Sequence, residues 1–162
     1  MFKVKWFVVL VLFLIAVQPS FADDSAKIIG TWRIVSYELE AQATGKRQPT
    51  MGKNPTGYII FTPEGRTMTI ITGEGRKAPN TDQDRADLLK SMVAHTGMYR
   101  LEGDKCISTV DVAWAPDRLG TEQIFFFRFD GDRLQVMSAW MKSLNRPELG
   151  MVRNIITWER AK

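Results

Sequence analysis

The feature that most constrains this chain is a succession of short segments rich in β-branched and aromatic residues, separated at close intervals by glycine-containing turns. The tripeptides 63–65, 102–104 and 130–132 each link two such segments and predict tight hairpins. The predicted strands are residues 28–40, 57–62, 66–72, 97–101, 106–114, 121–129, 133–141 and 151–160. A long antiparallel sheet removes its exposed edges by closing on itself. The sequence therefore predicts an all-β, eight-stranded, antiparallel up-and-down barrel.

One segment follows a helical period instead. Thr81 is a good N-cap, and Asp84 stands three residues later, close to a capping box. The apolar residues that follow share one face at helical spacing; they are Leu88, Leu89, Met92 and Val93. Residues 82–95 are therefore predicted to form one short amphipathic helix, which we expect to lie against the barrel.

The N-terminus has the pattern of a secretory signal peptide. After a basic start, residues 7–17 form an unbroken apolar run, and Ser20 and Ala22 place small residues at positions −3 and −1 of a cleavage site. The alternative, a membrane anchor, needs roughly 20 apolar residues. The pattern predicts a signal peptide over residues 1–22, a barrel domain over 23–162, and an exported protein, periplasmic or secreted, without a stable membrane anchor after cleavage.

Composition excludes several classes of function. Loss of Lys3 and Lys5 with the signal peptide lowers the net charge from +4 to about +2, too little to indicate a nucleic-acid partner. His95 is the only histidine, so no multi-histidine metal site is expected, and its place at the end of the predicted helix favours a surface position. Cys106 is the only cysteine and is expected to be a buried apolar group. No cofactor, metal or catalytic residue is predicted.

Alternation along the strands predicts which side chains face the barrel interior. Phe125 and Phe127 share a face with Gln123, whereas Ser138 and Trp140 share a face on the next strand. The residues expected to contact a ligand are Trp32, Ile34, Phe61, Met68, Tyr99, Val110, Trp114, Gln123, Phe125, Phe127, Ser138 and Trp140. This set is aromatic and sparsely polar, which predicts a small apolar molecule as the partner. An eight-stranded barrel can also be filled by its own side chains, so a packed interior remains the alternative.

The two ends of the chain are expected to meet. In a closed barrel the first and last strands pair, which brings Trp32 close to Arg160. An arginine stacked on a tryptophan forms a cation–π contact. We therefore expect Trp32 and Arg160 to close the floor of the barrel.

Several segments together carry a resemblance to a known family. They are residues 30–37, 57–66, 97–99, 114–116, 120–123, 131–134 and 158–160, in order along the chain. With Gly-x-Trp on the first strand and an arginine on the last, the chain resembles the lipocalin-like domain family of bacteria and fungi. The resemblance implies a small lipocalin-like barrel of the calycin type with the helix of residues 81–95, and no settled activity. Family members often carry a histidine near Ser108 or Thr109 and an arginine where Phe125 stands, and the absence of both here favours an apolar ligand.

Three functions remain open at this point. The first is an exported carrier of a small hydrophobic molecule. The second is a small cofactor-independent barrel enzyme, such as an isomerase, dehydratase or cyclase, with an inward Glu38 or Asp111 as general acid or base beside Tyr37 or Tyr99. The third is a packed structural module without a ligand. The sequence assigns no oligomeric state.

Export gives the first testable expectation. Cleavage after Ala22 removes the basic start and the apolar run, so the mature protein should begin at Asp23. Intact-mass spectrometry of the protein from its own host measures this end directly. A soluble cytoplasmic form that retains Met1 would contradict the expectation.

Overall fold

The computed structural model describes residues 21–143 and 146–162, so the predicted signal peptide lies outside the described residues except for Phe21 and Ala22. The helices are α1 (Phe21–Ile28) and α2 (Asp82–Lys90), with single 3₁₀ turns at Pro116–Arg118 and Pro147–Leu149. The strands are β1 (Gly30–Ala41), β2 (Arg47–Pro49), β3 (Thr56–Phe61), β4 (Arg66–Thr72), β5 (Met92–Glu102), β6 (Lys105–Ala113), β7 (Glu122–Asp130), β8 (Arg133–Ser138), β9 (Met141–Lys142) and β10 (Met151–Arg160). None of the helices in this part of the chain is long and apolar enough to cross a membrane.

Eight strands close into the predicted antiparallel barrel. Their order is β1, β3, β4, β5, β6, β7, β8 and β10, and β10 pairs back onto β1. The short strands β2 and β9 extend the sheet beside β1 and β10. The predicted all-β, eight-stranded lipocalin-like barrel is thus confirmed, and the predicted bounds of β4 and β10 agree with the structure.

A bulge in β1 shifts the alternation of its side chains. In the pairing with β10, Ile34 opposes Trp158 but Ser36 opposes the adjacent Thr157, so Val35 is an extra residue. Side chains after the bulge exchange faces relative to strict alternation.

A second bulge lies between β5 and β6. Gly97 opposes Val110, but the neighbouring Thr96 opposes Val112, so Asp111 is the extra residue. A Cβ at position 97 would collide with a backbone carbonyl of β6, which explains the glycine.

Arg160 closes the floor of the barrel. Its Cζ lies 3.9 Å from the centre of the Trp32 ring, its Nη1 donates to the Ile29 carbonyl at 2.6 Å, and its Nη2 donates to the Lys27 carbonyl. The Trp32 Nε1 donates to the Ile28 carbonyl at 2.8 Å. The C-terminal end of α1 is therefore fixed across the bottom of the barrel, with Ile28 fully buried.

Gly30 makes room for this contact. Its φ is +126°, a conformation that residues with a side chain rarely adopt, and a Cβ there would collide with the Arg160 guanidinium. The glycine before Trp32 is thus explained by the arginine at the other end of the chain.

The predicted helix over residues 82–95 is too long. Its capping box is present, because the Asp84 N–H donates to Thr81 Oγ1 at 3.1 Å and the Thr81 N–H donates to Asp84 Oδ2 at 2.9 Å. The helix ends at Lys90, however, because the chain from Met92 onwards pairs with β4 and forms β5. None of its residues is buried, so the helix does not bury an apolar face against the barrel as expected.

The segment before the first predicted strand is helical. Residues 23–27 belong to α1. The helix ends on the barrel floor, with Ile28 buried in the core.

Replacing Arg160 by alanine should lower the free energy of unfolding by about 1–3 kcal/mol, since it removes the stacking on Trp32 and the donors to two carbonyls. Urea unfolding measures the loss. The control is Arg33→Ala, which breaks an exposed salt bridge with Glu159 and should cost less than about 1 kcal/mol. Equal losses in the two variants would show that the floor contact stabilises the protein no more than an exposed salt bridge does.

Candidate functional site

The interior of the barrel is packed near the floor and open above it. Trp32, Phe61, Phe127 and Leu134 belong to the continuous buried core next to α1. At the opposite end lies a cavity of about 260 Å³. Its main apolar wall residues are Ile59, Ile71, Val93, Phe125, Val136, Ile156 and Trp158, and its polar ones are Tyr37, Thr69, His95, Arg118, Gln123, Ser138 and Asn154.

Nine of the residues predicted to contact a ligand face the interior, but only three line the cavity. These three are Gln123, Phe125 and Ser138. The residues that lie in the interior outside the cavity lining are Trp32, Ile34, Phe61, Tyr99, Val110 and Phe127. Among them, the Tyr99 ring packs edge-on against Phe61 at 5.2 Å, and its hydroxyl donates to the Thr62 carbonyl at 3.1 Å.

Met68 does not face the interior. Its neighbours Thr67 and Thr69 take the inward positions of β4 and are buried, whereas Met68 is 49% exposed on the outer surface. Hydrophobicity alone predicts the wrong face, because two of the three inward positions of this strand carry threonines.

The interior positions predicted for two tryptophans are also wrong. The bulge at Asp111 turns Trp114 outward, into a shallow groove with Met68. Trp140 lies beyond the end of β8, in a segment predicted as strand, and the Arg153 guanidinium stacks over its ring at 4.5 Å. Neither tryptophan lines the interior cavity.

The bulge at Val35 gives the cavity a residue that alternation did not predict. Tyr37 takes the inward position opposite Ile156, and Glu38 lies on the outer side, where it accepts a hydrogen bond from Ser36 at 3.5 Å. Burial raises the pKa of the Tyr37 hydroxyl, and the positive charge of Arg118 partly opposes this shift. The tyrosine is therefore a neutral hydrogen-bonding group at physiological pH.

Arg118 is the charged residue of the cavity, and it lies on the 3₁₀ turn between β6 and β7. Its Nη1 donates to Gln123 Oε1 at 3.0 Å, and its Cζ lies 4.9 Å from the centre of the Trp114 ring. Thr121 holds the turn, because its Oγ1 donates to the Arg118 carbonyl at 2.7 Å and accepts from Gln123 Nε2 at 2.8 Å. No local pattern marks a loop arginine as inward-facing, so the position of Arg118 is not predictable from the sequence.

His95 lies in β5 and lines the cavity, contrary to the surface position predicted for it. Burial first, and the charge of Arg118 second, lower the pKa of His95 to about 4. The imidazole is thus neutral at physiological pH. Alternation of Val93, His95, Gly97 and Tyr99 marks this face, but the helical pattern before it concealed the start of the strand.

Two buried polar atoms of the cavity residues have no hydrogen-bond partner among the described residues. The buried Nε1 of Trp158 and Nδ1 of His95 make no hydrogen bond within the described chain. Trp158 is fully buried, so an N–H without an acceptor costs the protein free energy. The interior is therefore more polar than predicted, and its polar groups lie at positions other than 108, 109 and 125, where family members often carry them.

The carboxylates considered for an enzyme are not in the cavity. Glu38 is on the outer side of β1, and Asp111 is exposed at the bulge, 2.8 Å from the Arg66 guanidinium. Across the described residues, no group of three or more histidine, cysteine or acidic side chains is placed to hold a metal ion. Cys106 is buried, and burial raises the pKa of its thiol to about 12, as expected for an unreactive core residue.

The comparison with known families agrees with this architecture. Residues 29–161 match the family described as the lipocalin-like domain, which spans the whole barrel. No curated protein sequence matches the chain.

His95 should make the stability of the protein depend on pH. Its pKa falls from 6.5 in the unfolded chain to about 4 in the folded protein, so the unfolded state binds more protons between these values. The free energy of unfolding therefore keeps its full value above about pH 6.5. It decreases as the pH falls through this window, by about 2 kcal/mol at pH 5. Urea unfolding at about pH 7.5 and about pH 5 measures the loss.

The control for this expectation is His95→Gln. His95 is the only histidine, so the variant removes the one side chain with an ordinary pKa inside the window. The variant should lose clearly less stability between the two pH values than the unmodified protein. The same loss in both would contradict burial of a neutral imidazole.

Proposed function

We propose that this chain, which belongs to the lipocalin-like domain family, is an exported protein. It binds a small, largely apolar molecule in the cavity at the end of the barrel opposite the floor. The observation that carries the proposal is the cavity of about 260 Å³ above a packed floor. A side-chain packing that filled the barrel would have left no such space, which disfavours the structural module.

The size and walls of the cavity limit the ligand. Its volume is at the lower end for small-molecule sites, so a compact molecule fits better than a long lipid. Apolar burial contributes about 25 cal/mol per Å², and a ligand that buries about 300 Å² gains several kcal/mol before association costs. Affinity in the micromolar range at best follows from this balance.

Export rests on the N-terminal sequence pattern, and the fold is compatible with it. The floor hydrogen bonds are accepted by the carbonyls of Lys27 and Ile28 at the end of α1 and of Ile29 just after it, and all three residues follow the proposed cleavage site. Removal of residues 1–22 leaves these contacts in the mature chain.

The enzyme alternative has less support than binding. The two carboxylates on which it depended, Glu38 and Asp111, point away from the cavity. The proposal therefore assigns recognition to the cavity and includes no catalytic step.

A neutral apolar probe tests the proposal. Octan-1-ol should change the fluorescence of Trp158 in the cavity wall with a Kd below about 1 mM. Ile156→Phe places extra volume in the cavity and should weaken binding about tenfold or more. Val112→Phe, on the outer surface, is the matched control and should leave the Kd unchanged. Absence of binding below millimolar concentration would favour a barrel without a ligand.

A further inference from the structure

We propose that the ligand of this cavity carries a single carboxylate group and that the Arg118 guanidinium binds it. The inference deepens the proposed function and depends on it, because it assigns a polar end to the apolar molecule. It rests on the charge, the fixed geometry and the unpaired donors of the cavity wall.

The charge of Arg118 is uncompensated within the described chain. Its neighbours are the Gln123 amide at 3.0 Å and the Trp114 ring at 4.9 Å, and no described carboxylate lies within salt-bridge distance. By contrast, Arg66 on the outer surface is paired with Asp111, and Arg153 is paired with Glu40. A cation that lines an apolar cavity without a counterion is stabilised by a ligand that supplies one.

The guanidinium is held before any ligand arrives. Trp114 stacks on it, Gln123 accepts one of its hydrogen bonds, and Thr121 fixes both the Gln123 amide and the Arg118 carbonyl. The guanidinium is planar and has five N–H donors, of which the bond to Gln123 uses one on Nη1. Donors therefore remain for the two oxygens of a carboxylate. A preorganised donor loses little conformational entropy on binding.

The neutral groups of the cavity favour a monoanion. His95 remains uncharged at physiological pH, so the wall presents one positive charge rather than two. The buried Trp158 N–H lacks an acceptor in the described chain, and the Tyr37 hydroxyl belongs to another residue that lines the cavity. Both are neutral donors that suit carboxylate oxygens, whereas a dianionic phosphate would need a second cation.

The experiment compares octanoate with octanamide, which has the same length and nearly the same shape but no charge. Octanoate should bind the unmodified protein about tenfold or more tightly than octanamide, and the cation octylamine should bind most weakly. Trp158 fluorescence reports binding. The imidazole NMR signal of His95, the single histidine, shows whether octanoate binds in the cavity, because a carboxylate nearby raises the pKa of His95.

Variants assign the preference to Arg118. Arg118→Gln should remove it, so that octanoate binds about tenfold or more weakly and octanamide binds as before. Arg128→Gln is the matched control, since this exposed arginine of β7 donates a side-chain hydrogen bond to Gln135 on the outer surface. It should preserve the preference.

The outcomes separate the two proposals. Equal affinities of octanoate and octanamide would overturn the carboxylate inference while leaving an apolar binding site. Binding of neither compound would overturn both. A preference that survives Arg118→Gln would assign the carboxylate to another group and would overturn the role of Arg118. The comparison of the three probes needs no variant, so it still tests the preference for a carboxylate if Arg118→Gln fails to fold.

Discussion

Backbone hydrogen bonds between β1 and β10 turn an eight-stranded sheet into a barrel, and only a barrel gives these strands an inside. The same pairing brings Trp32 opposite Arg160, and the stacked guanidinium then holds α1 across the floor. Once the floor is packed, free volume can persist only towards the opposite end. The position of the cavity is therefore a consequence of how the ends of the chain meet.

The cavity combines apolar walls with a small number of polar groups, and burial favours the neutral form of two of them. Burial keeps His95 and Tyr37 neutral at physiological pH, whereas the Arg118 guanidinium contributes a positive charge. The wall thus contains one fixed positive charge among neutral donors. Such an arrangement gives orientation and specificity, while apolar burial supplies most of the affinity.

Strand-level features of this protein were predictable, and its bulges were not. Hairpin glycines and alternation predicted eight antiparallel strands, and the pairing of chain ends placed Trp32 beside Arg160. A bulge depends on the partner strand and leaves almost no trace in local alternation. Tyr37 was therefore missed and Trp114 was assigned to the wrong face. The helical pattern around Leu88 hid the start of β5 and, with it, the inward position of His95.

The floor contact joins residues that are far apart in sequence, since the hydrogen-bonded Arg160 and Ile29 are 131 positions apart. A growing chain cannot close its sheet before β10 has emerged, and until then one edge of β1 and one edge of β8 lack this partner. Long-range pairing of this kind makes folding slow relative to locally connected folds. The binding cavity can therefore form only after β10 has been synthesised, because a nascent chain without this strand cannot close the barrel.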